Sequence, residues 1–254
     1  MKQVLWFLLI LISAEARELK TLVLVIASDN LPVYADFQKS WRSYMHSDPG
    51  HFESYFIKAD PHLPTRYEII GDTIWTQCEE SHTPGLLNKT LIAFEAFASR
   101  LNEFDYVLRA NLSSFFVFPR MLPFLETLPK QNCYCGIYHG GSSRFPHPQW
   151  KWANGSGIIF SPDLIKLLLS YKQVLFNSQV VDDVMFGVFF DHLPIIPSRS
   201  VEIYTQFDWF NVVNQMPEDL FHFRIRVEPN RSLDSYIHSH LLKRFYPHDF
   251  VKNR

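Results

Sequence analysis

Residues 21–27, TLVLVIA, are apolar without interruption and stop at Ser28-Asp29-Asn30. A run of this length with no polar side reads as a strand covered on both faces, the kind found at the centre of a parallel sheet. Phe37, Trp41 and Tyr44 then recur at helical spacing over 36–44, and 52–57 alternates apolar with polar residues as a second strand. The turn-rich stretch 60–84 leaves room for a short strand pair around Gly71-Asp72. Over 85–101, Leu87, Leu91, Phe94, Ala98 and Leu101 return every three or four residues, which predicts a helix with a full apolar stripe. Downstream the pattern predicts a buried strand over 105–108, a helix opened by Pro119 and running to 128, and a strand over 135–138. A loop over 140–149, a strand over 152–160 containing Gly155 and Gly157, a helix over 162–169 and another over 180–190 follow. A short strand at Ile195-Ile196, an alternating edge strand over 221–227 and a helix over 231–245 complete the chain. Strands alternating with helices of about ten residues predict an α/β fold with a mainly parallel central sheet flanked by helices, Rossmann-like in plan. No internal repeat or linker divides it, so one domain is expected over 21–254.

The first residues follow another logic. Lys2, an apolar run over 4–12 and Ser13-Ala14-Glu15-Ala16 have the layout of a signal peptide or short signal anchor over 1–16. The run falls short of the roughly 20 apolar residues of a comfortable membrane span. A buried first strand is the alternative, but 21–27 already fills that role. The expected location is secretory, exported or membrane-anchored: a Golgi-like lumen if the source is eukaryotic, periplasmic or extracellular otherwise. Four sequons, at Asn88, Asn111, Asn154 and Asn230, are read as coincidence because three lie in candidate site segments.

Composition narrows the classes. The 254 residues hold 24 Lys+Arg against 26 Asp+Glu, a net charge of −2, which argues against a protein that coats nucleic acid. Hydrophobic residues at 47% exclude an extended disordered chain, and aromatic residues at 16% indicate a thick mixed core with rings to spare for a site. Cys78, Cys133 and Cys135 are too few for a disulfide framework, and pairing of Cys78 with Cys133 or Cys135 stays open.

Ligands of open α/β sheets bind beyond the carboxyl ends of the strands. That rule selects Ser28-Asp29-Asn30 and the segments 109–114, 154–157, 181–187 and 222–231. Asp182-Asp183 is an adjacent carboxylate pair between apolar residues, where burial would raise one pKa toward that of a general base. One of the two is also suited to cap a helix. His222, Arg224 and Arg226 alternate on one strand face, within a 221–254 segment holding seven Lys+Arg and three Asp+Glu. Such a face suits a diphosphate or, as the alternative, a solvated edge strand protected by charge. Lys89 in the first turn of a helix is explained either by a nearby anion or by solvation. The glycines of Gly155-Ser156-Gly157 would let a ligand approach the backbone, beside Trp152 as a stacking face or a core residue. No phosphate loop, nucleophile elbow or H-E-x-x-H motif is present.

Taken in order, TLVLVIASDN, PGLLNKTLIAFE, DYVLRANLSSFFVF, WANGSGIIFSPDLIKLL and VDDVMFG resemble glycosyltransferases of the nucleotide-diphospho-sugar (GT-A) type, the fringe and β-1,3-galactosyltransferase-like group in particular. The resemblance implies a hexosyltransferase-type enzyme moving a sugar from a nucleotide sugar to a hydroxyl of a glycan or protein acceptor, with inversion. It implies Asp183 as the base, with Asp182 before it. Ser28, Asp29, Asn30, Lys89, Arg109, Asn111, Ser113, His222, Arg224 and Arg226 would lie around the nucleotide and diphosphate. Trp152, Gly155, Ser156 and Gly157 would lie on the acceptor side, with Phe115 and Phe116 as further ring faces. Where the family's D-x-D motif is expected, Asn111 and Ser113 stand, and these are poor ligands for Mn²⁺ or Mg²⁺. Metal use is thus left open, with Asn111 and His222 as the most the chain offers. The metal-free alternative has Lys89 and the 222–226 face neutralising the leaving group. A catalytically silent module of the same fold, binding a glycan or a protein, is the competing expectation.

Overall fold

The computed structural model describes residues 18–140, 149–227 and 231–252. The signal or anchor segment over 1–16, the sequon at Asn230 and most of the loop over 140–149 lie outside them. Among the described residues there are eleven strands: β1 Thr21–Ile26, β2 Phe52–Ala59, β3 Tyr67–Ile70, β4 Thr73–Thr76, β5 Tyr106–Asn111, β6 Ser114–Phe116, β7 Tyr134–Gly140, β8 Lys151–Phe160, β9 Ile196–Pro197, β10 Ser200–Ile203 and β11 His222–Ile225. The helices are α1 Pro32–Tyr44, α2 Gly85–Ala96, α3 Phe118–Glu126, α4 Pro162–Ser170, α5 Lys172–Leu175, α6 Asp182–Phe189, α7 Gln206–Asn214, α8 Ser232–Phe245 and α9 Pro247–Lys252.

Eight strands form one sheet in the order β3-β4-β2-β1-β5-β8-β7-β9. The pairings of β1 with β2 and β5, β2 with β4, and β7 with β9 are parallel, whereas β3 and β8 run against their neighbours. β1 lies inside the sheet with all six residues buried, as its unbroken apolar run predicts. Its side chains alternate between two cores. Val23 and Val25 join Phe37, Trp41 and Leu241 on one face, while Leu22 and Leu24 join Leu87, Leu91, Phe94 and Phe186 on the other. Each such side chain contributes about 1.5–3 kcal/mol by leaving water, so the two faces hold the strand in register. β8 enters antiparallel, with Gly157 opposite Ala110. Its first half therefore lies at the same edge as the carboxyl ends of β1 and β5, and that places 154–157 in the site.

Three differences from the sequence pattern bear on function. The helix expected from 36 starts at Pro32, whose fixed φ suits the first turn. The helix expected over 85–101 ends at Ala96 and continues as a 3₁₀ turn over Ala98–Glu103. The strand expected over 221–227 is not an edge strand. It is the middle of a second, three-stranded sheet, β10-β11-β6, and all four of its residues are buried. Its polar residues are covered because Phe223 and Ile225 enter the α1/α8 core on one side and His222 faces β8 on the other.

Cys78, Cys133 and Cys135 are free thiols. Cys78 follows β4, and the other two lie in or beside β7, five strand spacings away in the sheet order. At about 4.8 Å per spacing that is roughly 24 Å, far beyond disulfide reach. Among the described residues no helix is long and apolar enough to cross a membrane.

Candidate active site at the seam of two sheets

The carboxylate side of the site is built by β5, β8 and the first turn of α6. Val181 holds the N-cap position, so neither aspartate is the cap; both sit in the first turn, where the helix dipole favours negative charge. Their roles diverge at once. Asp182, fully buried, accepts from Arg109 Nη2 at 2.6 Å and from the Thr90 hydroxyl at 2.9 Å. Arg109 is itself buried and donates its Nη1 to the Gly155 carbonyl. Asp182 is thereby locked in a neutralised pair. Asp183, half-buried, accepts from the Gly155 N–H at 2.9 Å and from the Val184 N–H at 2.8 Å. Burial and then the Asp182 charge raise its pKa above the usual carboxylate range, against Arg109 and the two backbone N–H groups, which lower it. A partly exposed carboxylate with a raised pKa has the properties of a general base.

Gly155 and Gly157 are required by this packing. A Cβ on Gly155 would stand 2.7 Å from Arg109 Nη1 and 3.0 Å from Asp183 Oδ2, and one on Gly157 2.8 Å from Phe116 and 2.9 Å from His222. The close approach expected for a ligand is thus made by the protein's own side chains. Ser156 is buried, and its carbonyl accepts from the Ser114 hydroxyl at 2.7 Å.

The guanidinium side comes from β5, β6 and β11. Asn111 Oδ1, at the carboxyl end of β5, receives the Ser114 hydroxyl at 3.1 Å, Arg224 Nη1 at 3.1 Å and the Ser113 hydroxyl at 3.4 Å. Arg224 Nη1 also donates to the Ser113 hydroxyl. Burial lowers the Arg224 pKa to about 10, so it remains a cation at neutral pH. The residues at the D-x-D position therefore hold a guanidinium, and three donors fill the one side-chain oxygen that Asn111 offers. A divalent ion would meet a saturated oxygen beside a fixed positive charge. His222 does not supply the missing ligand. Its ring is buried, stacked on Phe116 at 4.3 Å, with Nδ1 2.9 Å from the Ser200 hydroxyl. Burial, and next Arg224, depress its pKa to about 3, so it is neutral. Among the described residues no group of three or more His, Cys, Asp and Glu is arranged to hold a metal ion. These residues do not fit Mn²⁺ or Mg²⁺.

The remaining expected residues are spread around this seam. Asp29 is exposed and bound by Lys58, with Nζ 2.8 Å from both oxygens, and by Gln38; the Lys58 and Gln38 hydrogen bonds lower its pKa. Ser28 accepts from the Asn30 N–H at 3.2 Å, closing the turn after β1. Lys89 is buried, 2.8 Å from Glu80 and 3.0 Å from the Ala27 carbonyl. Its anion is a carboxylate of the same chain, which replaces both the solvated and the ligand-facing expectation. Arg226 is exposed just past β11. Trp152 is buried against the Gly187 backbone, and Phe115 and Phe116 are core residues, so these three rings present no open stacking face.

Sequence reasoning missed three residues. His139 Nε2, at the end of β7, lies 3.5 Å from Glu202 Oε1 and 3.2 Å from Asn154 Nδ2. The Tyr204 hydroxyl donates to Glu202. The Glu202 contact raises the His139 pKa; burial and Glu202 push Tyr204 up to about 12. Glu202 pairs in register with Arg224 across β10 and β11. The alternation in 200–204 hinted at a strand, but its pairing is non-local and no local motif announces it.

No family model and no curated protein matches this sequence. Among solved structures it is similar to one described as the crystal structure of a glycosyltransferase involved in the glycosylation of the major capsid of PBCV-1, with a TM-score of 0.51 and 12% identity, over 86% of this chain and 98% of that one. At that identity the likeness is one of fold and does not single out the fringe-like group. The chain is an α/β protein with a large, mostly parallel central sheet flanked by helices, and that architecture is shared with a glycosyltransferase.

Proposed function

We propose that the protein is a glycosyltransferase that moves a sugar from a nucleotide-diphosphate donor to a hydroxyl of a glycan or protein, with inversion at the anomeric carbon. The observation that carries this reading is the contrast between two adjacent carboxylates. Asp182 is neutralised by Arg109, while Asp183 is half-buried with a raised pKa at the carboxyl edge of the sheet. In the proposed reaction the acceptor oxygen attacks the anomeric carbon as Asp183 takes its proton. The bond from that carbon to the diphosphate oxygen breaks, and the nucleoside diphosphate leaves with the bonding electrons. Arg224, anchored by Asn111 and Ser113, is the fixed cation that stabilises the leaving charge without a metal ion. Arg226 beside it is the second cation. In the same reading residues 1–16 direct or anchor the 21–254 domain to a compartment supplied with nucleotide sugars.

The experiment is a mass-spectrometric screen of purified protein against nucleotide sugars with EDTA present. Wild type should give a product heavier than the acceptor by one sugar, and Asp183→Asn should give none while still binding nucleotide. One feature favours a second reading, a catalytically silent module of this fold: Asn111 and Ser113 stand where carboxylates are usual. A wild type that binds glycan but turns over no donor would select it.

A further inference from the structure

The face formed by α7 and α8 carries an unusual set of exposed rings. Phe207, Phe210 and Tyr236 are 71%, 64% and 59% exposed, and Tyr204, at the end of β10, is 41% exposed. Phe207 and Phe210 are three apart on α7 and share its outward side. α7 is held rigidly at its start. Thr205 and Asp208 form a reciprocal capping box, with Asp208 N–H 3.1 Å from the Thr205 hydroxyl and Thr205 N–H 2.8 Å from the Asp208 carboxylate. Trp209 packs edge-on to His240 of α8 at 5.3 Å. Between the two helices lies a groove of about 690 Å³ lined by Phe207, Phe210 and Tyr236, with Gln206, Asn214 and His240 among its polar residues. That volume is in the range of small-molecule sites.

Three properties of the groove select its occupant. Among the described residues no Lys, Arg, Asp or Glu lines it, and the one carboxylate on α7, Asp208, is engaged in the cap. Membrane-surface helices pair such rings with Lys and Arg, and the described residues of this lining include neither. Three rings about two-thirds exposed amount to roughly 300–500 Å² of surface, short of the roughly 800 Å² per partner of a stable protein interface. Rings flanked by neutral amides suit a neutral ligand with one apolar face and a hydroxyl rim, as a pyranose has. α7 follows directly on the strand residues that border the proposed active site: Tyr204 donates to Glu202, which faces His139, and stands two residues before Gln206.

We infer that α7 and α8 form an acceptor shelf for a neutral oligosaccharide, whose far sugars stack on Phe207, Phe210 and Tyr236 while its terminal hydroxyl reaches Asp183. This rests on the glycosyltransferase reading and gives its acceptor a chemical class, an extended uncharged glycan.

The test is calorimetric binding of a panel of neutral oligosaccharides of two to six hexose units to wild type and to the Phe207→Ala/Phe210→Ala double variant. Both substitutions are at exposed positions, and the thermal midpoint of the variant checks that it folds. Wild type should bind at least one oligosaccharide, longer ones more tightly than disaccharides, and the double variant at least about tenfold more weakly. Equal binding by both proteins, or none by wild type, overturns the shelf. So does a wild type that binds phosphatidylcholine vesicles, or forms dimers, in a manner the variant loses. Binding requires no donor turnover, so the two readings separate. Donor turnover with oligosaccharide affinity unchanged in the variant removes the shelf alone, whereas variant-sensitive binding without any turnover removes the catalytic reading alone.

Discussion

The two sheets treat polar side chains in opposite ways. In the large sheet β1 buries six residues of which only Thr21 is polar. Its functional groups gather at the carboxyl edge, where Arg109, Asp182 and Asp183 meet β8. The small sheet is built from strands of three and four residues, yet it encloses His222 and Arg224 within β11 itself. The large sheet thus acts as a scaffold that presents a carboxylate at its rim, and the small sheet as a holder that fixes a guanidinium. Stability from apolar burial and placement of charge are separated, and the site lies where the two sheets meet. Buried charge is tolerated there because each group has partners: Asp182 takes Arg109 and Thr90, and Arg224 takes Asn111 and Ser113.

If the rim carboxylate is the chemical group, Asp183→Asn should lower transfer by about 10²- to 10⁴-fold, the usual share of a general base. Nucleotide affinity, measured by calorimetry, should stay within a few-fold. The acid limb of the pH–rate profile should lie above about 4, the range of an unperturbed aspartate, because the base must be ionised and its pKa is raised.

Breaking the scaffold at its buried pair should cost stability. Arg109→Met strands Asp182 in the core and should destabilise by about 3–5 kcal/mol in denaturant unfolding. A loss under about 1 kcal/mol would mean that the pair behaves as a surface one.

The small sheet and the α8 core beside it should show themselves in acid. His222 and His238 have folded pKa values near 3, lowered chiefly by burial, against an ordinary value of 6.5. Their stabilising contribution is complete above the unfolded value and declines as pH falls below 6.5, because only the unfolded chain takes up the protons. The expected slope is about 1.4 kcal/mol per pH unit for each histidine, read by unfolding at pH 7, 6 and 5. His139, whose pKa is raised by Glu202, acts with the opposite sign: its contribution is present at low pH and is lost as pH rises through its folded value. It is half-exposed, so its effect is the smaller one.

Arg224→Lys keeps the charge but not the planar guanidinium whose Nη1 reaches both Asn111 and Ser113, and should weaken donor binding by about 1.5–3 kcal/mol, the worth of a charged hydrogen bond. The smallest effect is a gain. His238 lies stacked on Phe37 at 4.6 Å with neither ring nitrogen hydrogen-bonded among the described residues. His238→Phe removes two unsatisfied polar atoms and should stabilise by about 1–2 kcal/mol.

Much of the large sheet was legible in the chain. β1, β2 and α2 each announce themselves through a local apolar pattern, because burial on one or both faces writes directly into the order of side chains, and the hairpin around Gly71-Asp72 announces itself through its turn residues. The small sheet was not legible. β6 is three residues long, and β10 acquires meaning only through its pairing with β11, a contact between distant segments. For the same reason the alternation over 221–227 suggested an edge strand with a solvated basic face, when tertiary packing covers His222 and Arg224. In the candidate site, the doublet Asp182-Asp183 and the glycines at 155 and 157 stood out, but what the glycines make room for did not. Lys89 was singled out for its charge, and its partner Glu80 lies in a loop that no pattern pairs with it. His139, Glu202 and Tyr204 carried no motif at all.

The central claim is that Asp183 and Arg224 together perform transfer without a divalent ion. The most direct measurement is sugar transfer from nucleotide sugars in EDTA, followed by product mass, for wild type and Asp183→Asn side by side. The account predicts product from wild type that EDTA does not diminish and none from Asp183→Asn, with nucleotide binding retained in both. Product that appears only when Mn²⁺ or Mg²⁺ is added, or that Asp183→Asn forms as fast as wild type, would contradict it.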